Sequence, residues 1–514
     1  MEVSHMFSRF LTAALLASLS LSFTAAVADE HAPAADRKAD VVPEARTWVT
    51  RHKARIGGQV IAYTVTAGTL LMKNDDDEPV ALFGFTAYVK DGEDPTNRPL
   101  MFAYNGGPGS ASAWLHMGIL GPKRTVLEDL ASNTAGPFRT VENEYSILDH
   151  ADLVMIDPVG TGFSQIVGKG DKKDFYGVDQ DIDSVSRFIV RFLGDYGRWA
   201  SPKFVLGESY GGIRTAGVAH ELLSRHNVAL NGIILVSPYL DYGSGNAGVK
   251  LDVPYVNFLT TYAATAWYHR VLKDRPDDLQ AFLREAESFA EEVYAPVLFK
   301  GARATTEERA QVLAGLERYT GVSQEFWDLA NLRLDEGRFL QELMRRQGKV
   351  VGRIDTRYVG DIIGPLGEYT DYDPYSAQVA PAIVATFNDY YRRELGVQTE
   401  RSYVLSGRLW RDWDQSHAQP DQRGKVPFPN TVVDLSHAMI LNPRMKVLIQ
   451  QGYYDLACPY GTVEYAVDHL DVSPALRENV SIAYYEAGHM MYVHGPSMVK
   501  FRDDLAAFVE ANRR

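Results

Sequence analysis

Cysteine is all but missing: the 514 residues hold a single one, Cys458, so no intrachain disulfide can form. Eukaryotic secreted enzymes of this size usually carry several. No basic run occurs either, and the formal net charge of −14 argues against non-specific nucleic-acid binding. Beyond the N-terminal region no apolar stretch is long enough to span a bilayer. No histidines, cysteines or carboxylates recur at metal-ligand spacing, so neither a metal nor another cofactor is expected. The acidic run Asp75-Asp76-Asp77 lacks the glycine and distal glutamate of a calcium loop and reads as a solvated turn. There is no internal repeat and no low-complexity tract.

What is present fits a globular chain, 46% hydrophobic and 23% charged. Arg9, the apolar stretch Phe10 to Phe23 and Ala26-Val27-Ala28 read as a signal peptide over residues 1–28. Residues 29–45, polar and proline-containing, read as a flexible lead-in. An exported chain without disulfides points to a bacterial periplasm or its medium. Oligomeric state leaves no mark in the sequence.

Sheet signals dominate residues 46–250. Alternation predicts two antiparallel strands, Gln59 to Ala67 and Pro79 to Val89, joined by the acidic turn. Buried strands follow at 99–104, 151–156, 203–206 and 232–237, with an amphipathic helix marked by Val178, Ile182, Val185, Ile189 and Phe192. From 251 to 435 the pattern turns helical, with helices predicted over 277–294, 306–319, 324–332, 335–347 and 375–394. Thr305 with Glu308 forms a capping box there. Strands resume at 445–450 and 480–485, and a last helix runs from about Pro496 to Ala511. The reading is an α/β fold, a mostly parallel sheet over 46–250 and 436–514, interrupted by a helical cap over 251–435.

The chemistry centres on Gly207-Glu208-Ser209-Tyr210-Gly211, a G-x-S-x-G pattern between a buried strand and a helix packed by small residues. That context makes it a nucleophile elbow, a turn tight enough to hold the serine strained and exposed. Serine needs a histidine base oriented by a carboxylate. Asp455 follows the strand 445–450 and His489 follows 480–485, the order and placement used by α/β-hydrolases. The glycine-rich loop Asn105-Gly106-Gly107-Pro108-Gly109 has no P-loop ending. Its place after an early strand suits an oxyanion donor instead.

Together these segments resemble the serine carboxypeptidase family, peptidases of α/β-hydrolase fold. The match is carried by Asn105-Gly-Gly-Pro-Gly109, Asp157-Pro-Val-Gly-Thr-Gly-Phe-Ser164, Gly207-Glu-Ser-Tyr-Gly-Gly212, Asp455 with Cys458 three later, and Gly488-His-Met490. The resemblance implies Ser209 as nucleophile, His489 as base and then acid, and Asp455 as its partner. It implies backbone N–H groups of Gly107 and Tyr210 as the oxyanion hole. Asn105, Gly106 and Glu208 would meet a substrate's free C-terminal carboxylate, with Cys458 and Met490 near the site.

A carboxyl that meets a carboxylate must carry a proton to donate. The family usually pairs this glutamate with a second one, where this chain has Ile119. Glu208 is therefore expected to titrate lower than in such a pair, or carboxylate recognition to be weakened, with His116 or a cap residue contributing if the carboxylate is bound differently. Trp267, Tyr268, Trp327 and Tyr358 are candidates to line the pocket, though aromatics at such spacings more often belong to the core. The implied function is a serine-type carboxypeptidase acting on peptides with a free C-terminus. An esterase or acyltransferase on the same triad is the alternative, and a silent relative of the fold a remoter one.

Overall fold

The computed structural model describes residues 42–514 other than Asp421. The expected signal peptide and most of the lead-in, up to residue 41, lie outside the described residues. Nine strands form the path of one sheet: β1 (Thr47–Ile56), β2 (Gln59–Lys73), β3 (Pro79–Lys90), β4 (Leu100–Tyr104), β5 (Asp152–Asp157), β6 (Lys203–Glu208), β7 (Gly232–Val236), β8 (Lys446–Gly452) and β9 (Val480–Tyr485). Their order is β1-β2-β3-β5-β4-β6-β7-β8-β9, with Gln165–Ile166 paired beside β3. The first three strands and β5 pair antiparallel, and every later pair is parallel.

The parallel strands β4, β5, β6 and β7 are buried at every position, which is why they read as apolar runs and not as alternation. Helices α1 (Val178–Asp195) and α2 (Gly211–His226) follow β5 and β6. Then come α3 (Val253–Tyr268), α4 (Leu279–Phe289), α5 (Thr306–Thr320), α6 (Gln324–Leu329) and α7 (Glu336–Glu342). The chain closes through α8 (Pro374–Asp389), α9 (Val432–Leu441) and α10 (Gly495–Asn512). One apolar layer joins α1, α2 and α9 to one face of the sheet through Phe85, Val154, Val205 and Ile233. On the other face, α8 and α10 pack on Leu153, Met155, Phe204 and Ile234.

The helical block over 251–435 is not one unit. Its own core of Phe258, Tyr262, Tyr294, Leu316, Trp327 and Phe339 ends at Val351. Helix α8 instead buries Val379, Ile383 and Phe387 against the sheet. Residues 396–431 are mostly irregular and are bridged to the loops of the sheet, Ser406 to Ser110, Val404 to Gly162 and Asp414 to Gly177. The cap therefore spans roughly α3 to α7 with a short hairpin, Lys349–Val351 against Val359–Asp361. No helix among the described residues is long and apolar enough to cross a membrane.

Candidate active site

The C-terminal ends of β4, β6, β8 and β9 converge, and the loops leaving them share one cavity of about 310 Å³. Between β6 and α2 the chain reverses at Ser209, whose φ of +63° lies in the left-handed region. A non-glycine residue there stores strain on the order of 1–3 kcal/mol. Three backbone bonds hold it: Ser209 N donates to Val236 O at 3.0 Å, and its carbonyl accepts from Gly212 N at 2.8 Å and Tyr239 N at 2.9 Å. Ser209 Oγ makes no hydrogen bond among the described residues and opens to the cavity, a looseness common in sites without substrate.

The glycine loop is pressed against this elbow. A Cβ on Gly106 would stand 2.5 Å from Tyr210 N and 2.6 Å from Glu208 O, so only glycine lets the two turns meet. From behind, Arg214 of α2 steadies the loop. Its guanidinium donates to Asn105 O at 2.8 Å, pairs with Asp181 at 2.7 Å and lies over the ring of Tyr104. Asp157 accepts from Ser112 N and Oγ, both at 2.8 Å, and from Tyr403 Oη at 3.0 Å. That bonding gives the Asp157-Pro segment its role of fixing the far end of the loop.

Asp455 is fully buried. Oδ1 accepts from Ala457 N at 2.8 Å and Cys458 N at 2.9 Å, while Oδ2 accepts from His489 Nδ1 at 2.8 Å. Burial works to lower the His489 pKa, but the charge and hydrogen bond of Asp455, with Cys458, outweigh it and raise it well above the ordinary value. A strap from the cap side holds both loops. His489 N donates to Ile354 O at 2.7 Å, Leu456 N to Arg353 O at 3.1 Å, and Gly488 N to the Asp355 carboxylate at 3.1 Å. Asp355 is in turn paired with buried Arg357.

Glu208 is 1% exposed, and Asn105 Nδ2 donates to its Oε1 at 2.6 Å. Tyr492 Oη donates to Oε2 at 2.9 Å. With Ile119 in place of a second carboxyl, burial pushes this glutamate up to about 7 against the charge of His489 and those two bonds. Desolvation of the charged form does what a like charge would otherwise do. Ile119 itself is packed in the layer beneath the sheet.

Of the expected site residues, Asn105, Gly106, Gly107, Glu208, Ser209, Tyr210, Cys458, His489 and Met490 line the cavity, while Asp455 lies buried behind His489. One expectation fails. His116 does not reach the cavity; it is fully buried, bonded to Tyr88 Oη at 2.5 Å, and burial drops its pKa to about 3. Trp267, Tyr268, Trp327 and Tyr358 pack in apolar layers, as aromatics at such spacings usually do; the aromatic lining comes from Trp114, Tyr210, Tyr239, Tyr242 and Phe258. Cys458 is buried beside Asp455 and His489, where burial raises its thiol pKa. Its sulfur, His489 and Asp455 offer ligand atoms within 4.8 Å of one another, a closeness that linear spacing did not reveal. Sequence reasoning also missed Tyr492, Arg214, Asp355, Arg353 and Glu336, none of which sits in a recognisable motif.

Residues 67–319 match the family model described as serine carboxypeptidase. Serine carboxypeptidase-like 33 of Arabidopsis thaliana is 29% identical over 198 residues, 35% of this chain and 36% of that protein. The pheromone-processing carboxypeptidase KEX1 of Saccharomyces cerevisiae is 32% identical over 168 residues, 30% of this chain and 20% of that protein. The chain thus aligns with about a third or less of the length of these relatives. The crystal structure of the yeast KEX1 prohormone-processing carboxypeptidase superposes with a TM-score of 0.54 at 15% identity, covering 87% of this chain and 92% of that one. That likeness extends the shared fold across both halves of the sheet.

Proposed function

Because the chain belongs to the serine carboxypeptidase family, we propose that it removes residues from the C-termini of peptides by way of an acyl-enzyme. Ser209 Oγ attacks the last peptide carbonyl while His489 Nε2 takes its proton, and Asp455 stabilises the imidazolium. The backbone N–H groups of Gly107 and Tyr210 receive the oxyanion, each such donor being worth about 3 kcal/mol. His489 then returns the proton to the leaving amine, the C–N bond breaks, and the released residue departs with its carboxylate. Water, deprotonated by His489, cleaves the ester and restores Ser209.

One observation carries the reading: Glu208, protonated below about pH 7, lies in the cavity of Ser209 and His489. A neutral carboxyl beside Asn105 can donate to the substrate's terminal carboxylate, which an ionised one would repel. Ile119, in place of a second carboxyl, is what favours the alternative of an esterase or acyltransferase with the same triad. Export through residues 1–28 to the periplasm or medium of a bacterium belongs to the same proposal, supported by the leader-like N-terminus and the single cysteine.

The test compares an N-blocked dipeptide with its C-terminal amide, with Ser209→Ala as the blank. The acid is cleaved in strong preference to the amide, and the alanine variant loses roughly 10⁶-fold in kcat. Equal cleavage of acid and amide, or turnover of simple esters alone, would replace the carboxypeptidase reading with the alternative.

A further inference from the structure

Two charged side chains of the cavity wall, Arg353 and Glu336, have no part in the chemistry above. Four neighbouring arginines are matched to carboxylates, Arg333 to Asp252, Arg338 to Asp335, Arg345 to Glu342 and Arg357 to Asp355, while Arg346 is exposed outside the cavity wall. Arg353 has no ion-pair partner among the described residues, and its guanidinium makes one long hydrogen bond, Nη2 to Ala457 O at 3.4 Å. A guanidinium carries five N–H donors, so most of its binding capacity is unspent.

Its backbone, by contrast, is fixed. Arg353 N donates to the Asp373 carboxylate at 2.5 Å, and its carbonyl accepts from Leu456 N, next to Asp455. The next carbonyl, of Ile354, takes His489 N. The stem of this arginine is therefore held in register with both triad loops, while its head is left exposed. It shares its wall with Ala457, Cys458, Tyr239 and Tyr242, and its positive field reaches Cys458 and both tyrosines. The carboxyl end of the site is built separately, from Asn105 and Glu208 braced by Arg214 and Tyr492.

We propose that Arg353 determines specificity, its guanidinium receiving an Asp or Glu side chain of the residue just before the scissile bond. The inference rests on the reading that Glu208 and Asn105 take the terminal carboxylate, which leaves Arg353 for the acyl side. A carboxylate can meet the planar guanidinium with two parallel hydrogen bonds, a geometry lysine does not offer. Glu336 opposes it: a carboxylate on the same cavity wall repels an acidic side chain and moderates the preference.

The experiment measures kcat/KM for N-blocked Glu-Leu, Gln-Leu and Leu-Leu with the full chain and its variants. The wild type favours the glutamyl over the glutaminyl substrate by about tenfold, the value of one charge-assisted contact in a partly open cavity. Arg353→Met erases that ratio, Arg353→Lys keeps part of it, and Glu336→Gln enlarges it. A wild-type ratio of one or less overturns the proposal. So does a fall by the same factor on all three substrates in Arg353→Met, which would put the guanidinium on the terminal carboxylate or in the scaffold. Absence of any Ser209-dependent cleavage overturns the carboxypeptidase reading together with this one, whereas cleavage without charge preference overturns this one alone.

Discussion

The cavity has two differently built sides. On the sheet side, Asn105, Glu208 and Asp455 each have their polar side-chain atoms engaged by named partners at 2.6–3.1 Å, and His489 is held through Nδ1 at 2.8 Å. On the cap side, the backbone of Arg353 is anchored while its guanidinium makes one long bond, and the Glu336 carboxylate, at the start of α7, makes no hydrogen bond among the described residues. The difference separates two tasks. Bond-breaking needs groups that do not reorganise when charge develops, and buried hydrogen bonds supply that. Selection among substrates needs groups with unspent donors and acceptors, and those are found where the cap meets the cavity.

If the sheet side owes its rigidity to buried polar clamps, the largest effect should come from loosening one. The irregular segment 396–431 is bridged to the glycine-loop region and to Gly162, and His417 clamps it. Its Nδ1 meets Asp179 of α1 at 2.7 Å, and its Nε2 meets Asp434 of α9 at 2.8 Å. Burial pulls the His417 pKa down, yet the hydrogen bonds to both carboxylates hold it up at about 9. A raised basic pKa stabilises fully below the unfolded value of 6.5 and loses that stabilisation as pH rises towards 9. The rise corresponds to about 3 kcal/mol. His417→Gln should therefore cost about 3 kcal/mol in urea denaturation near pH 6 and much less near pH 9.5. A cost independent of pH would mean that the clamp works through shape and not through charge.

Next in size is the titration of Glu208, which sharpens the contrast because it belongs to the engaged side. With a pKa of about 7, its donating proton is lost above neutrality. The preference for free acid over amide should then fall by roughly tenfold per pH unit above about pH 7. Once ionised, Glu208 also favours the imidazolium and withholds the base, since the two groups feel each other's charge. Glu208→Gln presents a donor that does not titrate, so the ratio of acid to amide turnover becomes flat with pH. A ratio that still falls in the variant would assign that limb to another group.

The same two sides explain what could be read in the sequence. The elbow, the glycine loop, and the strands bearing Asp455 and His489 were legible because buried parallel strands are continuous apolar runs, and tight turns between them demand glycine. Strand β1 was missed because five of the ten residues of Thr47–Ile56 are exposed, three of them charged, and only Ala54 and Ile56 are buried. Helix α3 was missed because its apolar residues show little periodicity, being buried on most sides. The cap boundary was drawn too late because α8 has the composition of a cap helix and the packing of a core one. Tyr492 and Arg353 left no sign at all. Their roles depend on which loop lies against which, and that is decided by tertiary contacts far apart in the chain.

The smallest effect tests whether cap stability and sheet-side chemistry are as separable as this picture implies. Helix α5 opens with a capping box in which Thr305 Oγ1 accepts from Glu308 N at 3.2 Å and Glu308 returns the bond to Thr305 N at 3.0 Å. Both residues are exposed or nearly so, and α5 contributes Val312 and Leu316 to the core of the cap. Thr305→Ala should cost about 1 kcal/mol, the usual value of an N-cap. If the cap opens as its own unit, hydrogen exchange should quicken in α3 to α7 and stay unchanged in β4 to β8. Because the strap 353–357 joins the cap hairpin to the loops of Asp455 and His489, the alternative is concrete: faster exchange at Gly488 and His489 as well. That outcome would make the cap a support of the triad, and the division between a rigid chemical side and a selective one would move from the cavity wall to the far side of Arg353.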